Sequence, residues 1–282
     1  MGCFDKVLLT VDFDRTLTAP DSSIPQRNLE AIEYFMANGG VFTVNTGRSV
    51  ATFWKHLDAI PVNAPFLLYN GSAAYENGKL TQLCPIDLDV WQTMQQVVER
   101  FGDMNVEIQG TKVHHLLNPS DKMLALYDKL QWRYAMAQIG EDVGPFVKFA
   151  LFGDPHEPTV NSLFHGTEAE LSRFDEAEQT LRQMFGDKVE VFRAGPRIID
   201  VHAKGVSKNR AARQLQEKLG RQILVCVGDA ENDISMLDGA DYAFCPADGV
   251  VADRYETVCD CAQGAVADVI YKKIPEILAN CP

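Results

Sequence analysis

Four short polar stretches of this chain carry residue types that could do chemistry. They are Asp12 with Asp14, Thr46-Gly47-Arg48, Ser207-Lys208, and Gly228-Asp229-Ala230-Glu231-Asn232-Asp233. Each alone has a plain structural reading: turn or cap residues for the aspartates, a tight turn for Thr46-Gly47, a loop start for Gly228-Asp229. Together they read differently. Asp12, Asp14, Asp229 and Asp233, brought to one sheet edge, repel one another unless a cation intervenes. Carboxylate oxygens select a hard metal, and few protein ligands with room for water suit Mg²⁺. Lys208 stands in the first turn of a helical pattern, where the dipole disfavours a cation. Yet Ala211, Ala212, Leu215 and Leu219 keep the apolar period of that helix. A rule broken at one position of an otherwise consistent element marks function. A phosphate beside Lys208, with helix amides behind it, resolves the conflict.

These residues need a frame to hold them. The run from Lys6 to Val11 is nearly all apolar and β-branched, the pattern of a strand covered on both faces, and it stops at Asp12. Pro25 opens a helical pattern with Leu29, Ile32, Phe35 and Met36 on one face, closed by Asn38-Gly39-Gly40. Val41 to Asn45 reads as a strand running into Thr46, and Phe66 to Tyr69 as another ending at Asn70-Gly71. Further on come a strand at Ile198 to Val201, a helix from Ser207 to Leu219 closed by Gly220, and a strand at Ile223 to Val227. This alternation predicts a doubly wound parallel α/β sheet, which binds ligands beyond the carboxyl ends of its strands.

The middle of the chain breaks that rhythm. A helix at Asp87 to Phe101 precedes two strands, Asn105 to Ile108 and Lys112 to Leu117, that flank Gln109-Gly110-Thr111 like a hairpin. A helix near Asp121 to Ala137, a strand at Phe146 to Phe152, a helix opened by the capping box Thr167-Glu168-Ala169-Glu170, and a strand at Lys188 to Phe192 follow. The sequence therefore predicts a core of residues 1–77 and 197–282 with an inserted α+β unit at 78–196.

Composition bounds the partners. Of 282 residues, 39 are Asp or Glu and 26 Lys or Arg, a formal charge of −13 that disfavours nucleic acid and anionic membrane surfaces. An anionic substrate must then meet a local positive charge. Seven cysteines (Cys3, Cys84, Cys226, Cys245, Cys259, Cys261, Cys281) include no CxxC pair, and Cys226 sits in an apolar strand as a buried thiol. With no leader pattern in Met1 to Thr10 and no apolar run of ~18 residues, the expectation is a reduced, cytoplasmic protein. Asn70-Gly71-Ser72 matches a glycosylation sequon but reads as a turn. Oligomeric state is not legible.

Asp12-Phe13-Asp14-Arg15-Thr16-Leu17 resembles the DxDxT motif of the haloacid dehalogenase superfamily. Thr46 resembles its second motif, Lys208 its third, and the stretch from Gly228 to Asp233 its GDxxND fourth. An insertion between the second and third motifs is similar to the C2-type cap of the Cof-like, subclass IIB sugar phosphatases, which also show Thr-Gly-Arg after the second strand. Arg15 departs from the glycine usual after the second aspartate, and Asn209 from the glycine common after the motif lysine. The resemblance implies a Rossmann-like core with a cap that sets substrate choice. It also implies roles: Asp12 as nucleophile, Asp14 as acid and base, and Mg²⁺ on the Asp12 carboxylate, the Asp14 carbonyl and Asp229. Asp233 would act through water or Lys208. Thr46, Gly47, Lys208 and Asn232 would hold the phosphate, and Arg48 would touch the substrate, a small phosphate ester. Two alternatives stay open: a phosphotransferase such as a phosphohexomutase, and a non-catalytic Mg²⁺-dependent phospho-aspartate switch. His114-His115 reads as a hairpin pair with one ring in and one out. Glu231 reads as solvated, Arg193 and Arg197 as substrate contacts or surface charge, and Trp54, Trp91 and Trp132 as core on helical faces.

Overall fold

The computed structural model describes residues 2–280, so Cys281 lies outside the described residues. Strand β1 (Val7–Val11) is buried along its whole length, as its run of branched apolar side chains requires. After a turn at Phe13–Leu17 come α1 (Gln26–Ala37), with Pro25 as its N-cap, and β2 (Val41–Val44). A short α2 (Val50–Phe53) precedes β3 (Phe66–Leu68), β4 (Ala73–Glu76) and β5 (Lys79–Thr81). Next are α3 (Val90–Arg100), β6 (Asn105–Gln109), β7 (His114–Leu116), α4 (Asp121–Leu130), β8 (Tyr134–Met136) and β9 (Lys148–Phe152). Helix α5 (Glu168–Phe185), whose Thr167–Glu170 capping box is formed, leads to β10 (Val189–Gly195) and β11 (Ile198–Ala203). The chain closes with α6 (Lys208–Lys218), β12 (Ile223–Val227), α7 (Ile234–Asp238), β13 (Tyr242–Pro246), β14 (Glu256–Val258), α8 (Ala265–Asp268) and α9 (Ile274–Asn280).

Two compact units emerge. The first comprises residues 1–47, 56–81 and 207–282. Its five-stranded sheet has the order β14-β13-β12-β1-β2 and is parallel throughout. In that sheet Val11 lies opposite both Val227 and Val44, so three carboxyl ends come off level. The doubly wound parallel core is as the sequence predicts. Strand β3 is not a further core strand: it heads a small antiparallel sheet, β3-β4-β5, tied to Asn45 by one parallel bridge at Leu67. Strands β13 and β14 escape the sequence reading, because exposed Tyr242 and the polar Glu256 and Thr257 dilute their apolar runs.

The second unit holds residues 48–55 and 82–206. Its six-stranded sheet, β10-β11-β9-β6-β7-β8, is antiparallel except at β7–β8. Val106, Ile108, Phe149, Leu151, Ile199 and Val201 of one face share a core with Met94 and Phe101 of α3 and Phe174 and Leu181 of α5. On the other face, Met123, Leu126 and Tyr127 of α4 cover Leu116, Ala150 and Ile198.

The boundaries 77/78 and 196/197 read from the sequence need correction. Strand β11 hydrogen-bonds to β9 and β10, placing it in the second sheet, and the division falls at 81/82 and 206/207. An apolar run such as Ile198–Ala203 reads the same in either sheet, since periodicity does not identify a strand's neighbours. The helix expected to reach Ala137 stops at Leu130, because Gln131 turns left-handed at φ 56° and Tyr134–Met136 becomes an edge strand. Of the three tryptophans, Trp91 alone lies within a helix; Trp54 and Trp132 fall just past helix ends, and all three are half-buried. Among the described residues, no helix is long and apolar enough to cross a membrane.

Candidate active site

The level ends of β1, β2 and β12 set the side chains that follow them side by side in the first unit. The Asp12 amide donates to the Val227 carbonyl at 2.9 Å, which continues the ladder by one residue and then releases the chain into a turn. Leu17 N bonds back to Asp12 O at 3.3 Å, Thr18 N to Phe13 O at 3.0 Å, and Arg15 N to Thr18 Oγ1 at 3.2 Å. Within this turn Arg15 adopts φ 57°, the left-handed region that glycine enters most easily. Thr16 Oγ1 crosses to Asp229 Oδ1 at 2.9 Å.

Lys208 is the first residue of α6, whose N-cap Ser207 accepts from Arg210 N at 3.1 Å. Its buried Nζ lies 2.6 Å from Asp12 Oδ1 and 2.6 Å from Asp233 Oδ1. Two carboxylates thus offset the unfavourable helix dipole. Asn45, at the end of β2, fixes this helix start by donating from Nδ2 to Lys208 O at 2.9 Å. Asp233 is held in turn: its Oδ2 accepts from the amides of Asp229 at 3.0 Å and Ala230 at 3.1 Å. That fold-back requires glycine at 228, where an added Cβ would meet Asp233 Cβ at 2.6 Å.

Asp12, Asp229 and Asp233 are all buried, and one oxygen of each lies within 4.8 Å of the others. One ammonium cannot balance three carboxylates in so dry a place. Burial pushes the Asp12 carboxyl up to about 7, with Lys208 opposing and Asp233 and Asp14 adding to the rise. Burial also drives Asp229 well above the usual carboxylate range, helped by the charges of Asp233 and Asp12. Against burial, Asp12 and Asp233 hold Lys208 above its ordinary value. The all-oxygen donor set and its excess of negative charge fit a hard divalent cation.

The structure therefore brings together Asp12, Lys208, Asp229 and Asp233. The Asp14 carboxylate, half-buried two residues on, is outside the three-oxygen cluster. Thr46 and Gly47 follow β2: the Thr46 amide donates to Leu67 O at 2.9 Å, and Thr46 O accepts from Asn70 N at 3.0 Å. A Cβ on Gly47 would approach Asn70 Oδ1 to 2.8 Å, so any larger residue here must displace the buried Asn70 side chain. Asn232 is half-buried in the turn Glu231–Asp233, and Arg48 belongs to the second unit. Sequence reasoning missed Thr16 and Asn45. Thr16 was visible as a motif position without a role, and Asn45 as a polar residue closing an apolar strand.

Several other readings resolve. His114 is buried and His115 half-buried against Glu141 at 2.8 Å, one ring in and one out. Glu231 is exposed and Cys226 fully buried, as expected. Asn70 of the sequon is buried in a short 3₁₀ turn. Arg197 is neither surface charge nor free for a ligand: it is buried against Gly153 and Gly166, with Nη1 on Glu170 Oε1 at 2.5 Å and Nη2 on Ser162 O at 2.9 Å. Arg193 bonds to the carbonyls of Gly195 and Pro196.

Comparison with known proteins converges on one family. The profile of the haloacid dehalogenase-like hydrolases matches residues 9–254. A 5-amino-6-(5-phospho-D-ribitylamino)uracil phosphatase of Bacillus subtilis is 25% identical over 249 residues, covering 82% of this chain and 84% of that protein. An uncharacterized hydrolase of Schizosaccharomyces pombe is 23% identical, covering 94% and 90%. Among solved structures, a haloacid dehalogenase-like hydrolase from Bacteroides thetaiotaomicron superposes with a TM-score of 0.76 at 18% identity, over 94% of this chain and 98% of that one. The subclass IIB sugar phosphatase BT4131 superposes at 0.74 and 18% identity, over 96% and 99%.

Proposed function

The chain belongs to the haloacid dehalogenase-like hydrolases, and from that premise we propose a Mg²⁺-dependent phosphatase of a small phosphorylated metabolite, a sugar phosphate foremost. It is a hydrolase of phosphoric monoesters, in keeping with its phosphatase relatives. The observation that carries the finer reading is the buried excess of carboxylates around Lys208. The ribityl phosphate of the Bacillus relative and the sugar phosphatase among the structural neighbours both support a phosphate on a polyhydroxylated carbon chain.

In this reading Asp12 attacks phosphorus and forms an aspartyl-phosphate, dividing a difficult hydrolysis into two easier steps. Lys208 holds Asp12 Oδ1, which leaves Oδ2 to attack. Asp14 gives a proton to the leaving alkoxide and then takes one from the water that opens the aspartyl-phosphate. With its amide bonded to Leu67 O, Thr46 would offer the phosphoryl group its hydroxyl. Gly47, Lys208 and Asn232 complete the cradle. Asp12, Asp229 and the Asp14 carbonyl would hold Mg²⁺, with Asp233 acting through Lys208 or a water. The ion's chemistry is to neutralise phosphoryl charge. The inserted unit and Arg48 are assigned the choice of substrate.

A panel of ribose 5-phosphate, glucose 6-phosphate, erythrose 4-phosphate, nucleotides and p-nitrophenyl phosphate tests this. Release of phosphate with Mg²⁺ and none in excess EDTA is the expected result. Full turnover in EDTA, with metal content measured as nil, overturns the metal assignment; transfer to a second sugar hydroxyl instead of water would favour a mutase.

A further inference from the structure

The second unit buries a second polar cluster that the chemistry above does not use. Ser49 Oγ lies 2.5 Å from His114 Nε2. On the far side of the ring, Nδ1 is 2.6 Å from the Tyr127 hydroxyl and 3.1 Å from Glu107 Oε1. Tyr127 donates its proton to Glu107 Oε2, and Gln109 Nε2 donates to Glu107 Oε1 at 2.7 Å. Ser49, Glu107, Gln109, His114 and Tyr127 are all buried. Since the single Tyr127 proton is committed to Glu107, the Tyr127 oxygen accepts and His114 Nδ1 must carry the hydrogen. Nε2 then faces Ser49 in a fixed sense, with a carboxylate behind the ring.

Ser49 is not an exposed nucleophile. It is the N-cap of α2, accepting from Thr52 N at 3.3 Å, and it follows Arg48 directly. The segment 48–55 is an excursion of the chain into the second unit. The segment is also tied to that unit by Arg133 N donating to Ala51 O at 3.3 Å, and at its far end by the exposed bonds of Trp54 Nε1 to Gln131 O at 3.3 Å and Lys55 Nζ to Gln131 Oε1 at 2.5 Å. Ser49 makes the buried side-chain tie, to His114. Burying a carboxylate and an imidazole to hold one hydroxyl is a poor route to stability, since apolar side chains of equal volume serve as well. A buried network in which the ring nitrogens, hydroxyls and carboxylate are all bonded does fix one geometry.

We propose that His114, backed by Glu107 and Tyr127, is a positioning residue: it fixes Ser49 and so the backbone of Arg48, the residue assigned to the substrate. The inference rests on the phosphatase reading above. Hydrogen exchange at amides 48–52 reads the anchor without any activity. Relative kcat/KM for the best-hydrolysed sugar phosphate of the panel against p-nitrophenyl phosphate reads its consequence. In Ser49→Ala and His114→Leu, exchange at 48–52 should rise about tenfold, the scale of one buried hydrogen bond, and the ratio should fall similarly, through KM. His114→Gln, whose amide oxygen can accept from Ser49, should restore both. Unchanged exchange, or both esters falling together with the folded fraction, overturns the proposal. If His114→Leu does not fold, Ser49→Ala, which removes one oxygen, decides. A wild-type protein that hydrolyses no ester refutes the phosphatase reading, and the exchange result still decides the anchor.

Discussion

The two units bury charge in opposite ways. In the second, every buried charge is closed locally. Lys148 Nζ meets Asp200 Oδ2 at 2.6 Å, and burial together with Lys148 pushes neighbouring His202 well below its usual value, so it stays neutral. Burial alone would raise Glu107, yet His114, Tyr127 and Gln109 hold it below the ordinary carboxylate range. In the first unit, three carboxylates share one ammonium, and burial raises two of them. A closed set of charges explains itself as architecture. An open set, three carboxylates on one ammonium, fits a further cation. The imbalance, not the burial, is the functional signal.

Changes in the open set, and at Asp14 beside it, should therefore cost activity above all. Asp12→Asn should stop turnover, because a neutral amide is a far poorer nucleophile. Asp14→Asn removes proton transfer, worth ~10²–10⁴-fold. With p-nitrophenyl phosphate, whose leaving group needs no proton, formation of the aspartyl-phosphate suffers less than its hydrolysis. The Asp14→Asn enzyme should then accumulate phosphate on Asp12, located by rapid acid quench and peptide mass spectrometry. Label on another residue, or unimpaired turnover in Asp12→Asn, breaks the mechanism.

The two buried lysines sharpen the contrast. From the sequence, Lys208 is a cation at a helix start, and its removal should ease the dipole. The structure reverses that expectation: Lys208→Ala leaves buried carboxylates uncompensated, and should cost about 3–5 kcal/mol of stability besides most of the activity. Lys148→Met should cost about as much by removing the ion-pair partner of buried Asp200, while Lys148→Met with Asp200→Leu recovers most of the loss. Per folded molecule, Lys148→Met should leave p-nitrophenyl phosphate turnover little changed. Denaturant titration beside a turnover assay separates the two lysines, and equal loss of turnover in both would erase the distinction between the units.

What was legible follows from what is local. The runs ending at Asp12, Asn45 and Val227 announce buried parallel strands, and polar residues at their ends announce a site, because strand ends and ligand positions coincide in such sheets. Pairing is not local. Ile198–Ala203 has the same apolar run whichever strands flank it, so its sheet had to be seen. The excursion of 48–55 brings Ser49 to His114, 65 residues away. Arg197 read as a substrate contact or surface charge because nothing in its neighbourhood names Glu170 or the two glycines that make room for it. The sequence reading paired the anomalous Lys208 with a phosphate, and its immediate partners in the structure are Asp12 and Asp233.

Arg15 offers the smallest and most local test of how far the open set governs its surroundings. The residue sits in the turn that follows Asp12, at φ 57°, exposed, and interacts electrostatically with Cys261. A left-handed conformation costs a non-glycine residue roughly 1–2 kcal/mol. Glycine would remove that strain, but its unfolded chain has more freedom to lose, about 0.4–1 kcal/mol. The two effects partly offset, so Arg15→Gly should raise stability by no more than about 1.6 kcal/mol. Its turn is already held by the bonds from Arg15 N to Thr18 Oγ1 and from Leu17 N to Asp12 O, which glycine keeps. Turnover of p-nitrophenyl phosphate should then be nearly unaltered, whereas any use of the guanidinium by substrate shows as a higher KM for the best sugar phosphate. A large loss of stability in Arg15→Gly, measured by denaturant titration, would mean that the side chain, not the backbone, holds the turn around Asp12.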